Sequence, residues 1–220
     1  MGAIARSAAN NITTSGVFTS NAITNSSVTG ITVLANASDG ITLISSQTAS
    51  ASASISFTTG INSTYKAYKF VYTNCHPSIE DNSNGIEFHF NMSTDGGSNY
   101  NVTKASTYVL SSHNEADTFT NLNYDGTFHL VQSTAFQILA DRTSADNDHA
   151  VSGSMILFNP SSTTKVKHFI ADTQSVYYDD MSVNAKVSGY GNTTSAVNAI
   201  QFKFSAGNID AGTISMYGIK

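Results

Sequence analysis

The sequence predicts an all-β fold, an antiparallel β-sandwich, on three observations. More than a third of the 220 residues are Ser, Thr or Asn, whose side chains compete with helical backbone hydrogen bonds and favour strands and turns. From about residue 41 onward, apolar and polar residues alternate over short segments, which is the period of half-buried strands. Turn residues separate these segments roughly every 8–20 residues, a spacing typical of sandwiches and barrels.

Residues 1–40 differ in composition, since isoleucine occurs only singly there and three of the four isoleucines are followed by threonine. Ile12, Ile23 and Ile31 lie roughly ten residues apart among Asn, Ser and Gly. These apolar residues are too sparse to offset an ordering cost of about 1–2 kcal/mol per residue by burial within one chain. We therefore predict an extended N-terminal arm, residues 1–40, for attachment or assembly, followed by a β-sandwich domain, residues 41–220.

The first strands of the domain end in recognisable turns. We expect strands at residues 55–57, 65–73 and 85–92, with turns at Gly60 and at Asp95-Gly96-Gly97. The strongest alternation is at 85–92, where one face carries only apolar side chains: Ile86, Phe88, Phe90 and Met92. This pattern predicts a strand with one face in the core.

Further strands are expected at residues 106–110, 127–131, 135–140, 154–159, 165–172, 184–190, 199–204 and 213–219. Pro160 ends one of them because proline cannot donate a ladder hydrogen bond. The polar stretches 73–84, 111–126 and 141–150 are expected to be loops at the ends of the sandwich. Gly207 and Gly212 are expected to flank a hairpin turn that returns the last strand beside residues 199–204.

The segment 155–158, Met-Ile-Leu-Phe, is apolar at both parities. In a half-exposed antiparallel sheet this leaves large side chains facing solvent. A neighbouring subunit that covers one face accounts for the pattern, and so does a central strand that its own chain covers on both sides. We expect homo-oligomerisation through the sandwich, with a trimer as one option.

Three stretches of the domain carry a resemblance to a known family. Residues 57–65 are FTTGINSTY, residues 158–169 are FNPSSTTKVKHF, and the chain closes on GNIDAGTISMYGI at 207–219. In these motifs the chain resembles, over about residues 41–220, virion proteins of tailed bacteriophages, a family especially common in marine phages. The resemblance implies a jelly-roll-like sandwich located in a virion, and it does not distinguish the capsid from the tail or a fibre.

Charge and cysteine content argue against several partners. A net charge of −5 with ten Lys and Arg residues disfavours a nucleic-acid scaffold, because phosphate binding needs a concentrated basic patch. The N-terminus has no long apolar run, so we expect neither a signal peptide nor a membrane-spanning helix. The single Cys75 has no second cysteine for a disulfide or a zinc site. We expect no cofactor, nucleic acid or membrane partner.

Catalytic patterns are weak in this sequence. There is no Gly-x-Ser-x-Gly motif, and Cys75-His76 are neighbours that point to opposite faces of a strand. Glu87 is the one acid in a strongly alternating strand, whereas glycoside hydrolysis needs two positioned carboxyl groups. We therefore predict that the protein is not an enzyme.

Two polar segments are weak candidates for a binding site. Oxygen and imidazole ligands for a metal ion occur in the loop 141–149: Asp141, Asp146, Asp148 and His149. Their spacing is not that of an EF-hand or a zinc finger, so we expect ordinary loop acidity and no required metal. Aromatic and acidic residues are mixed, as in many carbohydrate sites, at Tyr177, Tyr178, Asp179 and Asp180. This second segment is a candidate for glycan contact, with a loop or a subunit interface as the alternative.

The function expected from these observations is structural. We predict a non-enzymatic virion protein, capsid-decorating or associated with the tail or a fibre, which assembles through its arm and its sandwich with other virion proteins. The alternative is a receptor-recognition module of a fibre or spike that binds a host-surface glycan.

Overall fold

The alternation of apolar and polar residues is realised as strands. The computed structural model describes residues 40–81, 85–177 and 179–220, and within these ranges the chain forms twelve strands and no helix. The strands belong to a unit that spans Asp39–Lys220. The predicted arm lies outside the described residues except for Gly40. Nothing in the described part of the chain is a helix long and apolar enough to cross a membrane.

The strands follow one another along the chain with short turns between most of them. In chain order they are β1 (Ile41–Thr48), β2 (Ile55–Phe57), β3 (Ala67–Pro77), β4 (Ile86–Ser93), β5 (Lys104–Asn114), β6 (Thr120–Tyr124), β7 (Gln137–Thr143), β8 (Val151–Phe158), β9 (Lys167–Val176), β10 (Met181–Gly191), β11 (Ala199–Phe204) and β12 (Ile209–Ile219). The predicted strands are confirmed for β2 to β5 and for β7 to β12, with the predicted ends at β2 and β11 and shifted ends elsewhere.

Two antiparallel sheets make up the domain. The large sheet has eight strands in the order β1-β12-β3-β8-β9-β10-β5-β6, and the small sheet has four in the order β2-β11-β4-β7. Eight strands, four from each sheet, have the order and the sheet-to-sheet crossings of a jelly roll, namely β1-β12-β3-β8 against β2-β11-β4-β7. The hairpins β5–β6 and β9–β10 are insertions that widen the large sheet beyond this set. The predicted antiparallel β-sandwich is confirmed.

The core lies between the sheets and is strongly aromatic. Phe202 of the small sheet packs against Phe70 of the large sheet, with ring centroids 5.6 Å apart, and stacks on Phe88 at 6.1 Å. Phe90 of the small sheet meets Phe169 of the large sheet edge to face at 5.0 Å. All five rings are almost fully buried. Such rings supply much of the burial energy that holds two sheets together.

The middle of the chain departs from prediction at one strand. Residues 127–131 form no strand, whereas the predicted loop 111–126 contains the end of β5 and all of β6. Phe128 lies in a turn and packs on Tyr108, with ring centroids 5.2 Å apart. This single contact produces the apolar–polar alternation that resembled a strand. Every residue of β6 is exposed, so this strand has no buried face to produce an alternating pattern.

The C-terminus also differs from prediction. The strand β12 pairs with β1 and β3 in the large sheet, whereas β11 pairs with β2 and β4 in the small sheet. The last strand is therefore not beside β11, because the turn between them crosses from one sheet to the other. Gly207 (φ 68°) lies in that turn, whereas Gly212 (φ 114°) lies at an irregularity within β12. In the same way β3 continues to Pro77, into the predicted loop 73–84.

Candidate functional site

The outer face of the large sheet, which points away from the small sheet, carries large apolar side chains. In β8, Met155 and Leu157 are buried in the core, whereas Ile156 and Phe158 point outward. The segment that is apolar at both parities thus covers the core with one face and leaves the other toward solvent. Phe158 is 38% exposed.

Strand register brings further side chains beside this pair. Ile156 lies opposite Ile170 of β9, which is 46% exposed. His168 lies opposite Tyr190 of β10, and their ring centroids are 6.3 Å apart. We call these side chains the outer patch: Ile156, Phe158, His168, Ile170 and Tyr190. The strict alternation of β9, buried at Phe169 and exposed on either side of it, is what places two of them outward.

The surface of the outer patch is shallow and open. A depression of about 440 Å³ is lined by His168, Ile170 and Tyr190 together with backbone and small side chains of β5 and β10. An ion pair between Lys186 and Asp172 borders the patch, since both side chains line a second depression together with Ile156 and Ile170. The hydrogen bond from Lys186, and a second from Asn184, lower the pKa of the Asp172 carboxyl below its ordinary value. The patch is therefore apolar at its centre and charged at one border.

The candidate metal ligands are not brought together. Asp141 is buried in β7, where it accepts a hydrogen bond of 3.0 Å from the hydroxyl of Tyr177 and lies 3.2 Å from Nε of Arg142. Burial raises the pKa of Asp141 to about 6. The side chain of Asp148 is 91% exposed. Among the described residues, no group of three or more His, Cys, Asp or Glu side chains could hold a metal ion.

His149 and Asp146 have separate roles in the same loop. The Nε2 atom of His149 lies 3.6 Å from a carboxylate oxygen of Asp180 and 4.0 Å from one of Asp148. Its Nδ1 atom is buried and has no hydrogen-bond partner among the described residues. The backbone carbonyl of Asp146, rather than its side chain, lies 3.2 Å from Nε2 of His76. These are pairwise contacts around a loop and do not form a common centre.

The candidate glycan residues also occupy different environments. Tyr177 is buried. Its backbone forms an isolated antiparallel β-bridge with Thr143 of β7, and its hydroxyl donates a hydrogen bond to Asp141. Asp179 and Asp180 are exposed in the turn before β10, and Asp180 adopts a left-handed conformation (φ 57°). Tyr178 lies outside the described residues. The ring of Tyr177 thus faces the protein interior rather than a ligand.

A polar cleft lies beside these residues at one end of the sandwich. It measures about 340 Å³ and is lined by Asn74, His76, Asn147, Asp148, His149, Ala150, Asp210 and Ala211. His76 lies 3.8 Å from the Asp210 carboxylate. We call this the histidine end of the sandwich, defined by His76, Asp148, His149, Asp180 and Asp210. It offers hydrogen-bond donors and acceptors to solvent.

The opposite end contains two buried lysines that sequence reasoning missed. Lys104 begins β5 and Lys167 begins β9, and both lie opposite Gly191 of β10. Neither lysine is exposed, and burial lowers the pKa of both ammonium groups, that of Lys104 to about 7. Lys104 lies four residues before the buried Tyr108 in β5 and therefore points to the same face of the strand. This spacing is the feature of the sequence that could have predicted its burial. We call Lys104, Lys167 and Gly191 the lysine end.

The residues considered for catalysis are accounted for by local packing. Cys75 is fully buried in β3, and burial raises the pKa of its thiol to about 12, so the reactive thiolate is disfavoured. Glu87 on the outer side of β4 lies 2.8 Å from Nε2 of His89. A single, partly buried carboxylate–imidazole pair of this kind is typical of the outward face of a sheet.

Comparison with protein-family models, with curated proteins and with solved structures found no match to this chain.

Proposed function

We propose that this chain is a non-enzymatic structural protein of a phage virion, which assembles with copies of itself through the outer patch and with other virion proteins through its N-terminal arm. The observation that carries the proposal is the outer patch on the large sheet. The resemblance of residues 41–220 to virion proteins of tailed bacteriophages supports the location. The particle region, whether capsid, tail or fibre, follows from which protein the arm contacts.

The outer patch has the composition of a subunit contact. Three aliphatic or aromatic side chains at its centre, Ile156, Phe158 and Ile170, remain partly exposed on a broad sheet. Completing the burial of each such side chain is worth up to about 1.5–3 kcal/mol. Interfaces have an apolar centre and a polar rim, and the pair of Lys186 and Asp172 supplies part of such a rim. A closed homo-oligomer satisfies these features with one repeated surface.

The assembly proposal is tested by the oligomeric state in solution. We expect sedimentation velocity of the full chain at micromolar concentration to give an oligomer and Ile170→Asp to shift it to monomer, because the substitution places a charge in the apolar centre. Gln174→Asp is the matched control, since it adds the same charge on the same face of β9 away from the patch. A monomeric parent protein, or equal dissociation of both variants, would contradict the proposal.

The role of the arm is tested separately. Removal of residues 1–39 is expected to leave a folded sandwich, because the described core draws on residues from Ala49 onward. The same truncation is expected to abolish incorporation into particles, measured as copies per virion after complementation in infected cells. Normal occupancy of the truncated protein would show that the arm is not the anchor.

Receptor recognition is the second candidate, and the polar cleft at the histidine end favours it. The amide and imidazole groups of Asn74, His76 and Asn147 line that cleft, and such groups bind sugar hydroxyls. Binding of a glycan that is lost on substitution of Asn147, with oligomerisation intact, would support this candidate over attachment alone.

A further inference from the structure

Lys104 and Asn91 form a contact between two fully buried side chains. Neither residue is exposed, and Nζ of Lys104 lies 2.5 Å from Oδ1 of Asn91 and 2.7 Å from the carbonyl oxygen of Val102. The residues belong to different sheets, since Asn91 is in β4 and Lys104 begins β5. The contact therefore joins the two layers of the sandwich at the lysine end.

Among the described residues, the amine of Lys104 has no oppositely charged partner. Within the described ranges its polar partners are the amide oxygen of Asn91 and a backbone carbonyl, and no ion pair joins it to a carboxylate. Burial lowers the pKa of Lys104 to about 7, so a substantial fraction is the neutral amine near neutral pH. A neutral, desolvated lysine amine is a nucleophile toward carbonyl carbons.

The amide of Asn91 is held in one orientation and polarised. Its Nδ2 group donates to the carbonyl oxygens of Tyr100, at 2.7 Å, and Thr134, at 3.0 Å. Its Oδ1 atom accepts a hydrogen bond of 2.8 Å from the backbone N–H of Met92. A fixed N–H donor on a carbonyl oxygen stabilises the negative charge that develops there during nucleophilic attack.

The reacting atoms are close together. A carbonyl bond is about 1.23 Å long, so the contact with Oδ1 places Nζ within about 3.7 Å of Cγ of Asn91. Atoms that react in preorganised sites lie about 3–3.5 Å apart. The buried position also excludes bulk water, which would otherwise compete for the amide carbon.

We propose that Lys104 and Asn91 join in an intramolecular isopeptide bond. The lone pair of Nζ attacks Cγ of Asn91, and the carbonyl π electrons move to Oδ1 beside the Met92 N–H. When the carbonyl re-forms, the Cγ–Nδ2 bond breaks, and Nδ2 leaves as ammonia after taking a proton from Nζ. One amide replaces another, so no oxidant, reductant or cofactor takes part. Because the proton passes directly between the two nitrogens, the reaction is slow and follows folding.

The bond would close a loop from β4 to β5 and link the small sheet to the large sheet. It would also remove the amine that burial makes costly, because an amide N–H carries no charge. Lys167 provides an internal comparison. It is buried at the same end, but in the described part of the chain its Nζ donates to backbone carbonyls, those of Lys165 at 2.6 Å and Thr193 at 3.2 Å.

Mass spectrometry of the full chain tests the proposal. After incubation at pH 8 and 37 °C, the protein is expected to lose one ammonia, about 17 Da. Trypsin alone leaves residues 70–104 in one peptide, so trypsin is combined with a protease that cuts before Asp95, and this digest is expected to yield a branched peptide that joins residue 91 to residue 104. Cleavage after Lys104 is expected to disappear in the same fraction. An unbranched residue-91 peptide together with complete cleavage after Lys104 would overturn the proposal.

Two variants separate this reaction from succinimide formation at Asn91, which also releases ammonia. Lys104→Met is expected to keep the full mass, and Lys167→Met is expected to lose ammonia as the parent does. Loss of the same mass in Lys104→Met would assign it to the succinimide and overturn the isopeptide bond. The decisive reading is the branched peptide of the parent protein, which does not depend on how well either variant folds.

Discussion

The two ends of the large sheet hold ionisable groups in opposite ways. At the histidine end, imidazoles and carboxylates meet in pairs at the rim of an open cleft, as His149 does with Asp180. At the lysine end, Lys104 and Lys167 are fully buried, and their ammonium groups contact amide and carbonyl oxygens. The histidine end, whose residues stand out in the sequence, is thus the solvated one. The lysine end, which does not stand out in the sequence, holds the buried ammonium groups.

This difference follows from where each strand places its residues. β9 begins at Lys167 with its inward parity, so that side chain enters the core, whereas the acidic residues that follow β9 lie in the turn 179–180. Water solvates a loop carboxylate and screens its neighbours. A buried amine has no such solvent, and its protonation therefore depends on the protein's own dipoles.

Asp141 is the exception that sharpens the comparison, because it lies near the histidine end and is buried. It accepts a hydrogen bond from Tyr177 and has Arg142 beside it, whereas Lys104 has no charged partner among the described residues. A charged neighbour moderates the cost of burial, but burial is still the larger effect, and the pKa of Asp141 is raised to about 6. The two ends thus differ in solvation more than in charge.

The largest expected effect of breaking this contrast is at Asn91. Asn91→Ala removes a side chain with four hydrogen bonds, two at Oδ1 and two at Nδ2, and leaves buried donors and acceptors unpaired. We expect the free energy of unfolding at pH 7 to fall by about 3 kcal/mol or more, measured by urea denaturation.

Asn184→Ala is the control for this substitution. Asn184 also donates two hydrogen bonds, to Asp172 and to the carbonyl of Thr173, but at the outer face of the sheet. Its replacement is expected to cost about 0.5 kcal/mol. Equal losses at both positions would mean that burial at the lysine end has no special weight.

The sequence predicted those parts of the fold in which local pattern and tertiary environment agree. β4 was predicted because Phe88 and Phe90 face the core on one parity. β6 was missed because its pairing with β5 is a backbone interaction, and its side chains, such as Leu122 at 77% exposure, gain no buried face from it. The partners of β12 depend on a crossing between sheets, which no local pattern encodes.

The site residues divide along the same line. The outward position of Ile156 and Phe158 was predictable, since a strand with both parities apolar must present one set to the outside. The burial of Lys104 could have been predicted from its parity with Tyr108 in β5. Its contact with Asn91 could not, because the amide is held by the carbonyl of Tyr100, in the loop between β4 and β5, and by that of Thr134, 43 residues along the chain.

A smaller effect is expected at Asp141, in the pH dependence of stability. The pKa of this buried carboxyl is raised to about 6 in the folded state, against 3.8 for an ordinary aspartate. Between these values the folded protein binds a proton that the unfolded chain has lost, so this group stabilises the fold at acidic pH and that contribution disappears as pH rises toward 6.

Asp141→Asn keeps an oxygen for the Tyr177 hydroxyl and cannot ionise. We therefore expect the unfolding free energy of the parent to fall by on the order of 2 kcal/mol between about pH 4 and pH 6 through this group. In the variant this fall is expected to be absent, as measured by urea denaturation across that range. Asp148→Asn, at an exposed position of the same end, is expected to follow the parent curve. Parallel curves for the parent and Asp141→Asn would mean that the carboxyl titrates as a solvated one, and the distinction between buried and exposed groups at the histidine end would fail.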